Sequence, residues 1–303
     1  MRKTTAALSA IALAAFALTG CTAAPGADGP DCAPRESSST LESSATVRGD
    51  IGSPTLDLTR PVRTAKLTYD DAIQGDGRAV ASDTQSAIIT LGLYNGATGD
   101  VVQQGVGLWS PESLSEQLPG VGQVLECVTA GSRVVASIPA KSLPEGMAAQ
   151  VGLQQGDSLL GVFDVHEVLR TRAEGRDVFN DAGGLPTVVR AADGRPGIII
   201  PDGAAPKKVV VQTLIEGDGD EVGSAVPLFH FTAVDWADRS VTTSTWGQNV
   251  SSSTSGLPEQ VVEAMTKATV GSQLLVVVPG EDSDATAYVV DILGVIPEEL
   301  TQG

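Results

Sequence analysis

The chain has 303 residues, of which 42% are hydrophobic but only 4% aromatic, so its cores must be built from Val, Ile, Leu and Ala. Its 37 acidic against 19 basic residues give a net charge of −18. That balance argues against nucleic acid as a partner, because phosphate binding requires basic patches, and against electrostatic attachment to anionic lipid.

The first element is a basic pair, Arg2 and Lys3, followed by an uncharged apolar run from Ala6 to Leu18 and then Leu18-Thr19-Gly20-Cys21. This is the three-part layout of a secretory signal. The run is too short to span a hydrocarbon core of about 30 Å. The Leu-Thr-Gly-Cys step resembles the bacterial lipobox, which implies that residues 1–20 are a signal peptide and that Cys21 is lipidated. On that reading the mature chain is lipid-anchored at the cell membrane and faces outside the cytoplasm. Residues 21–48, rich in Ala, Gly, Pro, Ser and Thr, read as a flexible tether.

With Cys21 carrying lipid, Cys32 and Cys127 are an even pair in an oxidising compartment, and a bridge is favoured over two unpaired thiols. Closing a loop of about 95 residues is worth roughly 4–5 kcal/mol in the chain-entropy model. With only two histidines, His166 and His230, neither a zinc site nor a Cys–His catalytic pair is expected, and no cofactor is.

Downstream, β-branched runs separated by Gly, Asp and Pro turns predict strands, among them Lys208–Leu214, Ser272–Val278 and Tyr288–Val295. Two segments read as helical, Leu114–Cys127 (interrupted by Pro119 and Gly120) and Pro258–Thr266. Residues 171–195, with Gly183, Gly184, Pro186 and Gly194 among charges, read as a linker. The acidic stretch Glu216–Glu221 reads as a turn, since a calcium loop needs ligands across about a dozen residues.

The regions on either side of that linker repeat one another. Ile73-Gln74-Gly75-Asp76-Gly77 recurs as Ile215-Glu216-Gly217-Asp218-Gly219. Leu118-Pro119 recurs as Leu257-Pro258, and Gly131-Ser132-Arg133-Val134-Val135 as Gly271-Ser272-Gln273-Leu274-Leu275, with Pro139 and Pro279 closing each strand. Phe163-Asp164-Val165 recurs as Val290-Asp291-Ile292. A collinear set of this kind points to duplication. The expected fold class is α+β, with units at 49–170 and 196–303, each an antiparallel twisted sheet wrapped around one short helix.

This order of elements resembles the FKBP-type peptidyl-prolyl cis-trans isomerases. The likeness is carried by Glu216-Gly217-Asp218-Gly219, His230-Phe231-Thr232, the Val270–Pro279 strand and the Tyr288–Val295 end. The resemblance implies an apolar pocket that eases rotation about an X–Pro bond, whose barrier of about 18–20 kcal/mol arises from amide resonance. Matched to the family's pattern, Phe231, Leu257 and Tyr288 are the expected pocket lining, with ordinary core packing as the alternative reading of the same residues. Val241-Thr242 stands where the family has Phe-Asp, Val261 replaces its aromatic floor, and Val290 its last-strand Phe. In the first unit Phe163 matches that Phe, while Ile89 and Val121 replace aromatics and the Ala140–Ser158 loop offers Leu143, Met147 and Leu153. Two functions are therefore expected of the chain: an isomerase assisting exported polypeptides, or a catalytically silent scaffold that binds polypeptide. The oligomeric state is left open.

Overall fold

The computed structural model describes Cys32, Leu41, residues 43–179, 182–280 and 284–297, and Leu300. The expected signal peptide 1–20, Cys21 and most of the expected tether lie outside the described residues. In chain order the strands are β1 Ala45–Arg48, β2 Thr55–Leu58, β3 Thr68–Ile73, β4 Ala87–Asn95, β5 Val101–Trp109, β6 Arg133–Pro139 and β7 Ser158–Val168. They continue as β8 Gly175–Asp177, β9 Thr187–Arg190, β10 Pro196–Ile199, β11 Val210–Gly217, β12 Val226–Asp235, β13 Val241–Ser244, β14 Gln273–Pro279 and β15 Ala285–Ile296. The helices are α1 Pro111–Gln117, α2 Met147–Gln150 and α3 Glu259–Thr266.

The strands form two mostly antiparallel sheets with one topology. The first runs β3-β6-β7-β4-β5; the second runs β11-β14-β15-β12-β13, with β8 added outside β11. The repeat extends to the irregularities: the ladder shifts between Asp71 and Ile73 in one sheet and between Thr213 and Ile215 in the other. A second pair of bulges lies at Ile88/Ile89 and Leu228/Phe229.

The duplicated glycine motif has a steric cause. A Cβ on Gly75 would lie 2.0 Å from the Ala130 carbonyl oxygen, and one on Gly217 would lie 2.2 Å from that of Val270. Only glycine permits that approach. Each approach is latched alike: the Gly75 N–H donates to Ser132 Oγ at 2.9 Å and Thr129 Oγ1 donates to the Gly75 carbonyl at 2.7 Å. In the second sheet the Gly217 N–H reaches Ser272 Oγ at 3.0 Å and Thr269 Oγ1 reaches the Gly217 carbonyl at 2.8 Å.

Each sheet buries both faces. One face packs on its helix: Ile89, Leu91, Val134 and Phe163 with Leu114 and Leu118, or Phe229, Leu274, Val290 and Ile292 with Val261 and Met265. The other face is covered by a two-stranded hairpin, β1–β2 over Tyr94, Leu160 and Val162, and β9–β10 over Leu275, Val277 and Val289.

A buried aspartate on the last strand of each sheet ties down the chain that precedes it. Asp164 takes Arg133 through both carboxylate oxygens at 2.6 and 2.7 Å, and accepts the Gly52 N–H at 2.7 Å. Arg133 also donates to the carbonyls of Gly49 and Asp50 in the β1–β2 turn. In the second sheet Asp291 accepts Gln273 Nε2 at 2.7 Å and the Ala173 N–H at 2.9 Å, while Arg190 of β9 donates to Gln273 Oε1 at 2.8 Å.

Three sequence expectations are corrected. Residues 171–195 are not a linker: β8 hydrogen-bonds to β11, and β9 belongs to the hairpin covering the second sheet. Their glycines and charges encode turns, while short strands inside them gain their stability from pairing. The predicted tether ends early, because Ala45–Arg48 pairs with Thr55–Leu58. The helix expected at Leu114–Cys127 is the shorter α1, capped by Ser110, followed by a 3-10 turn at Gly122–Val124; and α2 gives the first half a second helical turn. Pro119 and Gly120 supply the physical reason for the break. Helix α3, by contrast, falls within the expected Pro258–Thr266, with Pro258 at its N-cap. Cys32 and Cys127 are joined by a disulfide with a Cα–Cα distance of 5.5 Å.

The halves meet through Ile88, Leu169 and Leu228 and through two ion pairs, Arg78–Glu174 at 2.8 Å and Arg170–Asp218 at 2.5 Å. Glu167 lies in this junction beside Gly294, and burial pushes its carboxyl up to about 7, with Asp220 adding to the rise and Arg170 and Arg78 opposing it. The folded chain therefore keeps a proton that the unfolded chain, at 4.5, releases, so stability falls as pH rises from 4.5 to 7 and is level above. Glu167→Gln is expected to match the parent in urea unfolding near pH 4.5 and to exceed it above pH 7, by at most about 3 kcal/mol. A difference between the two that does not vary with pH would refute this account.

Candidate functional site

The strand register brings two of the three sequence-predicted residues of the second half, Phe231 and Tyr288, onto one face. Phe231 on β12 stands opposite Val290 on β15, and Ala233 stands opposite Tyr288. On the other side of β15, Tyr288 faces Val276 and Val290 faces Leu274 of β14. Opposed residues of an antiparallel pair project to the same side, so Phe231, Tyr288, Val290, Val276 and Leu274 form one surface. Helix α3 crosses this surface, and Val261 and Met265 on it are fully buried. Leu257, just before the Pro258 N-cap, packs against the same cluster.

The degree of burial separates floor from wall. Val261, Met265, Val276 and Val290 have no solvent contact, whereas Phe231, Leu257, Tyr288 and Val278 are half-buried around them. The result is an apolar surface, the basin of the proposal below, with a fully buried floor and a half-buried rim. Phe231 is held in place by a reciprocal pair: its N–H donates to Thr245 Oγ1 at 2.9 Å, and the Thr245 N–H donates to the Phe231 carbonyl at 3.0 Å. Its ring lies 6.1 Å from that of Phe229 at a tilt of 41°. Burial pushes the Tyr288 phenol up, so it stays a neutral hydroxyl at the edge of the basin.

Among the described residues this surface is apolar apart from the Tyr288 hydroxyl. Val241, at the position expected to have lost an aromatic wall, is 62% exposed, and the Thr242 hydroxyl is turned to the Ala233 carbonyl at 3.3 Å. His230, the neighbour of Phe231, packs on the opposite side of the strand against Trp246, with ring centroids 5.0 Å apart and Nδ1 3.2 Å from Thr245 Oγ1. Burial lowers its pKa, so it is neutral at pH 7. Among the described residues no group of three or more His, Cys, Asp or Glu is placed to hold a metal ion. Asp218, in the turn examined as a calcium loop, is engaged by Arg170.

The corresponding surface of the first half is closed. Ile89, Val121, Phe163 and Leu153 are buried, and Leu143 and Met147 from the Ala140–Ser158 loop pack over them. The long loop that the sequence marked as a difference between the halves is thus what fills the hollow. Sequence reasoning missed Val278 and Val262, which pack half-buried against the same cluster. Val278 was legible through its alternation with Val276, whereas Val262 is placed only by the rotation of α3.

No family model matches the chain, and no curated protein does. Solved structures that resemble it in part are FKBP proteins. The three FKBP domains of wheat FKBP73 align at 15% identity over 76% of this chain and 94% of that one, with a TM-score of 0.34. FkpA from Escherichia coli aligns at 17% identity over 34% of this chain and 47% of its own, with a TM-score of 0.28. A peptidyl-prolyl cis-trans isomerase from Pseudomonas syringae aligns at 12% identity over 36% and 83%, with a TM-score of 0.28. At these identities and scores the likeness carries no argument about function, and the chain spans about half of FkpA.

The contrast between the halves sets an expectation for stability. Phe163→Ala opens a cavity in a closed core and is expected to cost about 3–5 kcal/mol, whereas Phe231→Ala, on a wetted rim, costs about 1–2 kcal/mol. Urea denaturation of the two variants measures this. Equal losses would mean that Phe231 is core and that the basin is not open.

Proposed function

We propose that the chain is an FKBP-like peptidyl-prolyl cis-trans isomerase, built of two tandem FKBP-like units and working on polypeptides outside the cytoplasm from a lipid anchor on Cys21. The observation that carries the first part is the half-buried ring of Phe231, Leu257 and Tyr288 above the dry floor of Val261 and Val290. The shared strand order of the two sheets, each crossed by a short helix, supports the same reading.

The chemistry asks little of the residues. Rotation about X–Pro requires loss of amide resonance and no permanent proton transfer. A basin that removes water from the carbonyl favours the twisted amide, whose charge separation is smaller, over the planar one. Phe231 and Tyr288 supply flat faces for the proline ring, and Leu257 closes the side next to α3. The second half holds the working basin; the first half, filled by Leu143, Met147 and Leu153, serves as scaffold.

A second reading follows from Val241-Thr242. These residues bring neither an aromatic wall nor a carboxylate to the rim. With those missing, the basin binds an apolar segment without lowering the barrier, and the chain acts as a polypeptide-binding adaptor.

Isomerisation of a short X–Pro peptide, followed by a protease-coupled assay, separates the two. Acceleration that falls at least tenfold in Phe231→Ala supports the isomerase. Absence of acceleration together with retained binding of an unfolded chain supports the adaptor.

Anchoring is tested in a bacterial host with a labelled fatty acid. The chain is expected to incorporate label and sediment with membranes, and Cys21→Ala to lose both. A Cys21→Ala chain that still sediments with label would remove the lipid anchor from the proposal.

A further inference from the structure

Where the two halves meet lies a cavity of about 620 Å³, lined from the first half by Thr84, Glu112 and Glu116 and from the second by His230, Trp246 and Asn249. A volume of this order is that of a small-molecule site. Phe231, Leu257 and Tyr288 take no part in its lining.

His230 is the buried polar group of this cavity, 8% exposed, and its surroundings decide which nitrogen carries the proton. Thr245 Oγ1 accepts the Phe231 N–H at 2.9 Å, which turns its own hydrogen toward His230 Nδ1 at 3.2 Å. Burial keeps the imidazole neutral, so with Nδ1 accepting, the ring N–H is on Nε2. Among the described residues Nε2 has no hydrogen-bond partner, and it is not sealed in protein, so this N–H is a donor open to the cavity.

Trp246 packs on the imidazole with ring centroids 5.0 Å apart. Its Nε1 is sealed in protein without a partner, so the indole offers the cavity ring carbons and no hydrogen bond. Glu112 and Glu116 stand one turn apart on α1, are exposed, and form no ion pair among the described residues. Asp193 adds a third carboxylate to the lining, while the guanidinium of Arg170, also in the lining, is engaged by Asp218 at 2.5 Å.

These groups select the occupant by exclusion. Three carboxylates against one engaged arginine repel an anion. A cation would satisfy the carboxylates but leave the His230 N–H without an acceptor, and a hydrocarbon would leave both kinds of group without partners. An uncharged ring that carries hydroxyl donors, oxygen acceptors and a C–H face meets all three demands.

We propose that this cavity binds a neutral disaccharide, its hydroxyls donating to Glu112 and Glu116, one of its oxygens accepting the His230 Nε2–H, and the C–H face of one ring lying against Trp246. This site is separate from the basin and does not rest on the isomerase reading.

The probes are N,N′-diacetylchitobiose and cellobiose, titrated with the full chain by ligand-observed NMR. At least one is expected to bind with a Kd below about 5 mM. Trp246→Ala is expected to weaken that binding at least tenfold. Because this change also strips packing from His230, Glu112→Gln with Glu116→Gln, on the exposed side of α1, is the second variant. It is expected to weaken the sugar at least threefold, since charged acceptors bind hydroxyls more strongly than amides do, and to leave X–Pro isomerisation unchanged. As the ligand is uncharged, raising NaCl from about 50 to about 300 mM is expected to change its Kd less than twofold. No saturable binding of either sugar up to about 20 mM, or binding that neither variant weakens, would overturn the inference. So would tighter binding of acetyl-Gly-Arg-Gly-amide that the double variant abolishes, which would make the cavity a site for cations.

Discussion

The close crossing of backbone at Gly75 and Gly217 is the constraint on which both halves depend. At each crossing the end of the first strand passes the turn before the fourth so tightly that no side chain fits between them. A Thr and a Ser from that turn then bond the glycine's own carbonyl and N–H, so the polar groups buried by the approach are satisfied. With first and fourth strands locked in this register, the last strand is drawn into the sheet's centre: the Gly131 and Gly271 N–H groups donate to the carbonyls of Val165 and Ile292, both at 2.8 Å. The helix preceding the turn has one face of the curved sheet left to cover. The position of the basin is a consequence of that latch.

On one strand order the halves differ in what covers this face. In the first, a loop of apolar residues is folded back and the surface becomes core. In the second, the connection from Pro279 to Ala285 is shorter, and Phe231, Leu257 and Tyr288 on the same face are half-buried. The polar clamp on the opposite face diverged as well. Arg133 with Asp164 is a buried ion pair that also gathers two backbone carbonyls and the Gly52 N–H. Gln273 with Asp291 replaces a charge with an amide, and burial pushes the Asp291 carboxyl up to about 6. A buried carboxylate without a full counter-charge is costly, and proton uptake relieves it. In the first clamp every nitrogen of the guanidinium fork has an acceptor.

Function and fold make opposite demands on the second half. On the proposed reading its sheet holds Phe231 and Tyr288 at a fixed spacing, while its outer strand β11 pairs with β8 over Ile215–Gly217. β8 and the β9–β10 hairpin both support this sheet, one by pairing and the other by packing.

Much of this arrangement was legible from residue order alone. The repeat was visible because the glycine latch tolerates no substitution in kind: Gly75 and Gly217, with Ser132 and Ser272, keep their identity for steric and hydrogen-bonding reasons local to the motif. Helix α3 and the long strands were legible because apolar spacing follows the period of the element. The strands inside 171–195 were not, since three- and four-residue segments draw their stability from partners distant in sequence. Nor was the difference between a filled and an open hollow. Ile89 and Phe231 stand at matched positions of the two sheets, and only the tertiary path of the chain around each sheet leaves one fully buried and the other half-buried. Chemical identity sets what a side chain can do; burial, which is a property of the whole fold, decides whether solvent or a ligand can reach it.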